Sequence, residues 1–128
     1  MARMSASSQD YLEAILHLSP KEEQVRSVDI AQRLGVSRAS VSRALTLLQT
    51  LGYIEKKHYS TITITPLGRR AGLEVQTRHL ALRRFLTDIL GVDPLIAEED
   101  ACKMEHSLSQ ESLTKLLHFL KSHHQEQP

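Results

Sequence analysis

The sequence predicts a mainly α-helical fold carrying one short β-hairpin, and three observations predict it. Apolar residues recur at helical spacing along most of the chain. Aromatics make up only 4% and Trp is absent, so the core has to be built from Leu, Ile, Val and Ala, which suits helices. The 5 glycines are too few for the many tight turns of an all-β fold.

Residues 7–18 form the first expected helix. Ser7 or Ser8 caps it, and Tyr11, Leu12, Ile15 and Leu16 make its apolar stripe. Pro20 and the charged run 21–24 break it. Ser27 caps a short helix, Val28 to Leu34, with Ile30, Ala31 and Leu34 facing inwards. Gly35 ends it where a left-handed residue is needed. Ser37 caps the next helix, which runs to about Leu51. Its Val41, Ala44, Leu45 and Leu48 repeat at i, i+3, i+4 and i+7 and mark the buried face. Gly52 closes it.

Tyr53–Lys57 and Thr61–Thr65 read as two strands around the polar tip His58-Tyr59-Ser60. The second alternates as a half-buried strand does. Thr65-Pro66 opens a long helix to about Leu90, with Pro at the first helical position. Val75, His79, Leu82, Leu86 and Ile89 form its stripe, and Gly91 stops it. Asp93-Pro94 opens another helix to about His106. Ser109 caps a last one, with Leu113, Leu116, Leu117 and Leu120 inward and a polar, frayed tail from Ser122.

Net charge is only +1, but its distribution is uneven. Arg38, Arg43, Lys56, Lys57, Arg69 and Arg70 lie mid-chain, and Glu98, Glu99, Asp100 and Glu105 follow. That fits a basic binding half joined to an acidic half with another task. The lone Cys102 forbids an intrachain disulfide, and a reducing, cytoplasmic setting is expected. The start, MARMSASSQD, lacks the apolar stretch of a signal peptide. No apolar run is long enough to span a bilayer, so a membrane is not an expected partner.

A short helix, a Gly-bearing turn and a second capped helix make a helix-turn-helix, whose second helix reads the DNA major groove from its N-terminal outward residues. Those are Ser37, Arg38, Ala39, Ser40, Ser42, Arg43 and Thr46. Arg pairs bidentately with guanine, and Ala touches a thymine methyl. The hairpin is then a wing, with Lys56, Lys57, His58, Tyr59 and Ser60 along the DNA backbone or near the minor groove. The bland alternative is two bundle helices with solvated arginines. The run Asp29-Ile30-Ala31-x-x-Leu34-Gly35-Val36-Ser37-x-x-Ser40-Val41-Ser42-Arg43, followed by a wing, favours DNA.

Cys102, Glu105 and His106 stand at i, i+3 and i+4, on one helical face. Thiolate, carboxylate and imidazole together suit iron, manganese, cobalt or zinc rather than magnesium or calcium. The alternative is a partly buried Cys beside a surface Glu-His pair. His79 faces inwards on its stripe, where a core histidine satisfied by neighbours is the competing reading. Asp10 and Glu13, at i and i+3 on the first helix, are also candidates, although Asp10 also suits a helix start with no metal. His17, His58, His118, His123 and His124 show no comparable grouping.

The whole order, with Asp10-Tyr11-Leu12-Glu13, Thr65-Pro66-x-Gly68, Arg78-His79 and Cys102-Lys103-Met104-Glu105-His106-Ser107-Leu108-Ser109, resembles the diphtheria toxin repressor family of iron- and manganese-dependent regulators. The resemblance covers about Ser8 to Leu120. It implies a winged helix-turn-helix DNA-binding domain over 1–72 and an α-helical metal-binding and dimerisation domain over 73–128. The iron branch has Cys at the position of Cys102 and Met at that of Asp10; the manganese branch has Glu and Asp there. This chain mixes the two. Glu98 falls where the iron branch places a His ligand, and joins the candidate ligands. Arg83 falls where that branch has a ligating Glu, and Arg cannot ligate. The resemblance leaves one metal or two open, a two-metal site of the manganese kind drawing on Glu13 and His79. By length the chain resembles the manganese branch, without the C-terminal barrel domain of longer members.

The expectation is a transcriptional repressor, not an enzyme. It binds palindromic operator DNA as a homodimer when loaded with Fe(II) or Mn(II) and controls metal-uptake genes. Two alternatives stand beside it: a metal-independent winged-helix regulator answering to a small organic ligand, and a small metalloenzyme. Against the enzyme, the sequence shows no separate nucleophile or base and no Gly-rich cofactor loop.

Overall fold

Helix α1 (Ala6–Leu18) begins at Ser5, whose hydroxyl accepts a hydrogen bond from the Ser8 amide at 3.1 Å. The cap therefore precedes the expected Ser7 or Ser8. Ser8 and Gln9 are buried, so they belong to the packed face of the helix rather than to its end. The structure, a computed structural model, describes residues 4–19, 24–58 and 60–126. The expected break over Pro20 and the start of the charged run that follows lies outside these residues.

A two-residue strand, β1 (Val25–Arg26), leads into α2 (Ser27–Leu34). Ser27 does not cap α2: Arg26 takes that place, without a side-chain bond to the helix end. The Ser27 amide donates to the Ser60 carbonyl at 2.9 Å, a bond that satisfies one of the orphan amides of the helix start. Gly35 ends α2 in the left-handed region at φ 65°, as expected. Helix α3 (Arg38–Thr50) is capped by Ser37, which accepts from the Ser40 amide at 3.1 Å.

Strands β2 (Ile54–His58) and β3 (Thr61–Ile64) pair antiparallel, and β1 joins the other edge of β3, giving the order β1-β3-β2. Val25 faces Ile62, and Ile54 faces Ile64. The third strand is too short for any sequence period to show. Leu12, Ile15, Ile30, Val41, Leu48, Ile54 and Ile62 are almost wholly buried in one core, to which α1, α2, α3 and the sheet all contribute.

Thr65 starts α4 (Pro66–Arg84). Its hydroxyl donates to the Gly52 carbonyl at 2.7 Å and accepts from the Gly68 amide at 3.0 Å. The Thr-Pro-x-Gly run is thus an N-cap, a proline in the first turn and a residue without a side chain. The α-helical ladder does not reach Leu90. It widens into a π turn over Phe85–Ile89, where the Leu90 amide reaches back to Phe85. Thr87 Oγ1 donates to the Arg83 carbonyl at 3.1 Å, the acceptor that the ladder assigns to the Thr87 amide, and such back-bonding loosens a helix.

Helix α5 (Pro94–Met104) is shorter than expected, but Glu105 keeps a helical backbone as its cap. Helix α6 (Gln110–Glu126) is capped by Ser109, which accepts from the Ser112 amide at 3.1 Å. Leu82, Leu86, Ala97 and Ala101 form the second core, with Phe85, Met104, Leu108 and Leu116 against it. The chain divides into two units, Met1–Glu74 and Val75–Pro128.

Candidate metal centre and nucleic-acid interface

In the first unit the capped start of α3 leaves Arg38, Ala39, Ser42 and Arg43 exposed, while Val41, Leu45 and Leu48 anchor the helix from below. Among the described residues neither arginine enters an ion pair, so both guanidinium forks are open to base edges or phosphates. Ser37 is exposed but its hydroxyl is engaged in the cap, and Ser40 is half-buried. Thr46 donates to the Ser42 carbonyl at 3.0 Å, so its hydroxyl faces its own backbone.

The wing carries Lys56 and Lys57 outward. Lys57 is paired with Glu55 at 3.2 Å. Lys56 shares a cleft of about 120 Å³ with Arg38, Ser42 and Ser60, which joins the wing to the head of α3. Tyr59 lies outside the described residues. A larger cleft, about 510 Å³, has Asp10 and Tyr11 of α1 on one wall and Ser40 and Arg43 of α3 on the other. Asp10 and Glu13 are both half-buried on α1.

In the second unit α4 and α5 bring ligand-type atoms together. One atom each from His79, Cys102 and Glu105 lies within 4.8 Å of the others. Glu105 is 1% exposed, and its Oε1 stands 3.6 Å from His79 Nδ1 and 3.6 Å from His106 Nε2. These gaps exceed a hydrogen bond but match the spacing of ligand atoms around one ion with bonds of about 2.0–2.3 Å. Burial of a carboxylate is costly unless a cation compensates it. Sulfur, oxygen and nitrogen donors on one helix end and one facing histidine therefore fit a divalent transition ion. Cys102 is exposed, which gives the cluster an entry side.

Glu98 sits apart from these donors. Its Oε1 is 2.7 Å from His79 Nε2, and its Oε2 accepts from Arg83 Nη1 at 3.2 Å. Burial raises the Glu98 carboxyl, but the hydrogen bond and charge of His79, then those of Arg83, outweigh it and hold the group below the ordinary carboxylate range. Arg83 had no part in the sequence reading beyond being unable to ligate. Its place one turn after His79 on α4 was the available signal, since i and i+4 share a helical face.

Two family models match the chain in succession: the iron-dependent repressor N-terminal DNA-binding domain over residues 3–62 and the iron-dependent repressor metal-binding and dimerisation domain over residues 65–128. The transcriptional regulator MntR of Salmonella typhimurium is 40% identical over 114 residues, covering 89% of this chain and 72% of that protein. An uncharacterized HTH-type transcriptional regulator of Methanocaldococcus jannaschii is 34% identical, over 91% of this chain and 94% of its own. Among solved structures, a manganese-dependent transcriptional repressor in complex with manganese superposes with a TM-score of 0.72 at 30% identity. That match covers 85% of this chain and 50% of the other, so this chain spans about half its length. These relatives are regulators of transcription, and the metalloenzyme alternative falls with them. A DNA-binding unit with an open arginine-bearing helix, a second unit with clustered ligand atoms, and both matched domains agree: the chain belongs to the diphtheria toxin repressor family of metal-dependent transcriptional regulators.

Proposed function

We propose that this chain is a cytoplasmic repressor that binds a palindromic operator as a homodimer when loaded with Fe(II) or Mn(II), and that it controls metal-uptake genes. The observation that carries the reading is the convergence of His79, Cys102 and Glu105 within 4.8 Å, with Glu105 buried. His106 and, by resemblance, Asp10 and Glu13 complete the proposed ligand set. When bound, a divalent ion supplies the positive charge that lets a thiolate and carboxylates share one site.

The protein's own residues explain how α1 reaches the DNA. Leu12 and Ile15 of α1 share a core with Ile30 of α2 and Val41, Leu45 and Leu48 of α3. Packed cores do not deform continuously, so a constraint on α1 is a constraint on α3. In a dimer the two α3 helices must meet half-sites about 34–36 Å apart or a multiple of that. Holding α1 through Asp10 would select the dimer geometry that meets this spacing. The exposed apolar residues Leu90, Leu95 and Ile96 support a homodimer surface in the second unit.

Fluorescence anisotropy with a palindromic operator tests the reading. Affinity is expected to rise with Mn(II) or Fe(II) under anaerobic, reducing conditions and to fall with chelator. By linkage, operator DNA must tighten metal binding by the same factor. Equal operator affinity with and without metal would sink the proposal.

A further inference from the structure

We propose that Glu98, steadied by Arg83, is a positioning residue that fixes the tautomer of His79 and so makes Nδ1 the metal-binding nitrogen, rather than being a ligand itself. This rests on the metal-site reading above. The two ring nitrogens of His79 face two different carboxylates. Nε2 is 2.7 Å from Glu98 Oε1, a true hydrogen bond, while Nδ1 is 3.6 Å from Glu105 Oε1, which is not.

An ionised carboxylate only accepts, so the short contact places the proton on Nε2. A histidine that binds a metal does so as the neutral ring, which has one N–H; with that proton held on Nε2 by Glu98, the lone pair is left on Nδ1. The two nitrogens point away from each other across the ring. A group bonded in line with Nε2 therefore cannot bind the same ion as Nδ1. The second Glu98 oxygen is engaged by Arg83 at 3.2 Å, which fixes the carboxylate against rotation.

The helix geometry makes this division natural. Glu98, Cys102 and Glu105 stand at i, i+4 and i+7, on one stripe of α5 and its cap. His79, 8% exposed at its side chain, lies across that stripe. Glu98 takes its outer nitrogen and Glu105 faces its inner one, with a Cys102 atom within 4.8 Å of the His79–Glu105 pair. Such outer partners of a ligating histidine typically change metal affinity by about 10–100-fold when removed.

Two measurements test the proposal. Long-range 15N–1H correlation spectra of the metal-free, reduced protein, recorded at a pH where the His79 ring carries one proton, should show that proton on Nε2, with the Nδ1 signal moving on addition of Zn(II) as a diamagnetic probe. A neutral ring with its proton on Nδ1 would overturn the proposal. Calorimetry with Mn(II) should show a loss of about 10–100-fold in Glu98→Ala and recovery of most of it in Glu98→Gln, whose side-chain oxygen still accepts from Nε2. In a His79→Ala background, Glu98→Ala should have no further effect. A further loss there would make Glu98 a direct ligand and overturn the inference alone. Unchanged Mn(II) affinity in His79→Ala would overturn it together with the metal-site reading.

Discussion

Gly68 lies directly against Tyr53: a Cβ on Gly68 would overlap the Tyr53 carbonyl oxygen, which itself accepts the Thr65 amide at 3.0 Å. The first turn of α4 is therefore pressed onto the entrance of the wing, and only a residue without a side chain fits. Gly68→Ala is expected to destabilise the fold by about 1–3 kcal/mol, the usual range for overpacking. Urea denaturation reads it, and a midpoint equal to wild type would show that the contact relaxes freely.

Arg43→Ala should weaken specific operator binding by about 1–3 kcal/mol and relax specificity at one base position, with Mn(II) affinity intact. Lys56→Ala should weaken binding to all sequences alike and lower the salt slope by about 1. Footprints and salt titrations distinguish the two. A footprint identical to wild type in Arg43→Ala would remove that residue from base reading.

Glu105→Ala should lower metal affinity by at least about tenfold while the helix content of the protein stays unchanged. The carboxylate is buried at the end of α5, so its loss removes a charge and leaves the cap backbone in place. Calorimetry and circular dichroism measured together check this. Unaltered metal affinity would strike Glu105 from the ligand set.

Cys102→Glu replaces a soft sulfur donor by an oxygen. It should shift the preference of the protein from Fe(II) towards Mn(II), because oxygen ligands suit manganese better. Anaerobic operator titrations with each ion measure the ratio. No change in that ratio would mean that the thiolate does not set metal choice.

Acid should weaken one particular pair. Glu98 is held below the ordinary carboxylate range, so its pairing contributes stability above the usual carboxylate value and loses it as pH falls through the lowered one. Metal-free Glu98→Gln should therefore be less stable than wild type at neutral pH, with the gap closing in acid. The effect is small because the side chain is 49% exposed. A gap that widens in acid would contradict the sign.

Much of the fold was legible because strong local signals agreed. Gly35 and Ser37 bracket the turn by requirements that few residues meet, a left-handed backbone and a side-chain oxygen at the helix start. Val41, Leu45 and Leu48 repeat at helical spacing and are buried. Where signals were weak or tertiary pairing decided, the reading slipped. Strand β1 has two residues and exists through its partner β3, and Ser27 lost its capping role to a bond with Ser60. The π turn over Phe85–Ile89, where Thr87 Oγ1 bonds the Arg83 carbonyl, leaves no mark on the periodicity.

The site was legible by spacing within α5 and less so across helices. Spacing grouped Cys102 and Glu105 with His106, whereas the approach of His79 to Cys102 and Glu105 depends on how α4 packs on α5, which spacing does not record. Glu98 was gathered into the same set by resemblance, and only the hydrogen-bond geometry distinguishes a carboxylate that faces Nε2 from one that faces Nδ1.

The bond from Ser27 to Ser60, with Val25 against Ile62, stitches the entry of α2 to the wing. Through α2 and the shared core, helix α3 and the wing belong to one packed unit. A duplex that took α3 in its groove and Lys56 on its backbone, as proposed, would have to satisfy both at one offset. On the proposed reading the first unit would measure the width of its DNA as well as its base sequence, and a groove opened or narrowed by flanking steps would be rejected without any base being misread.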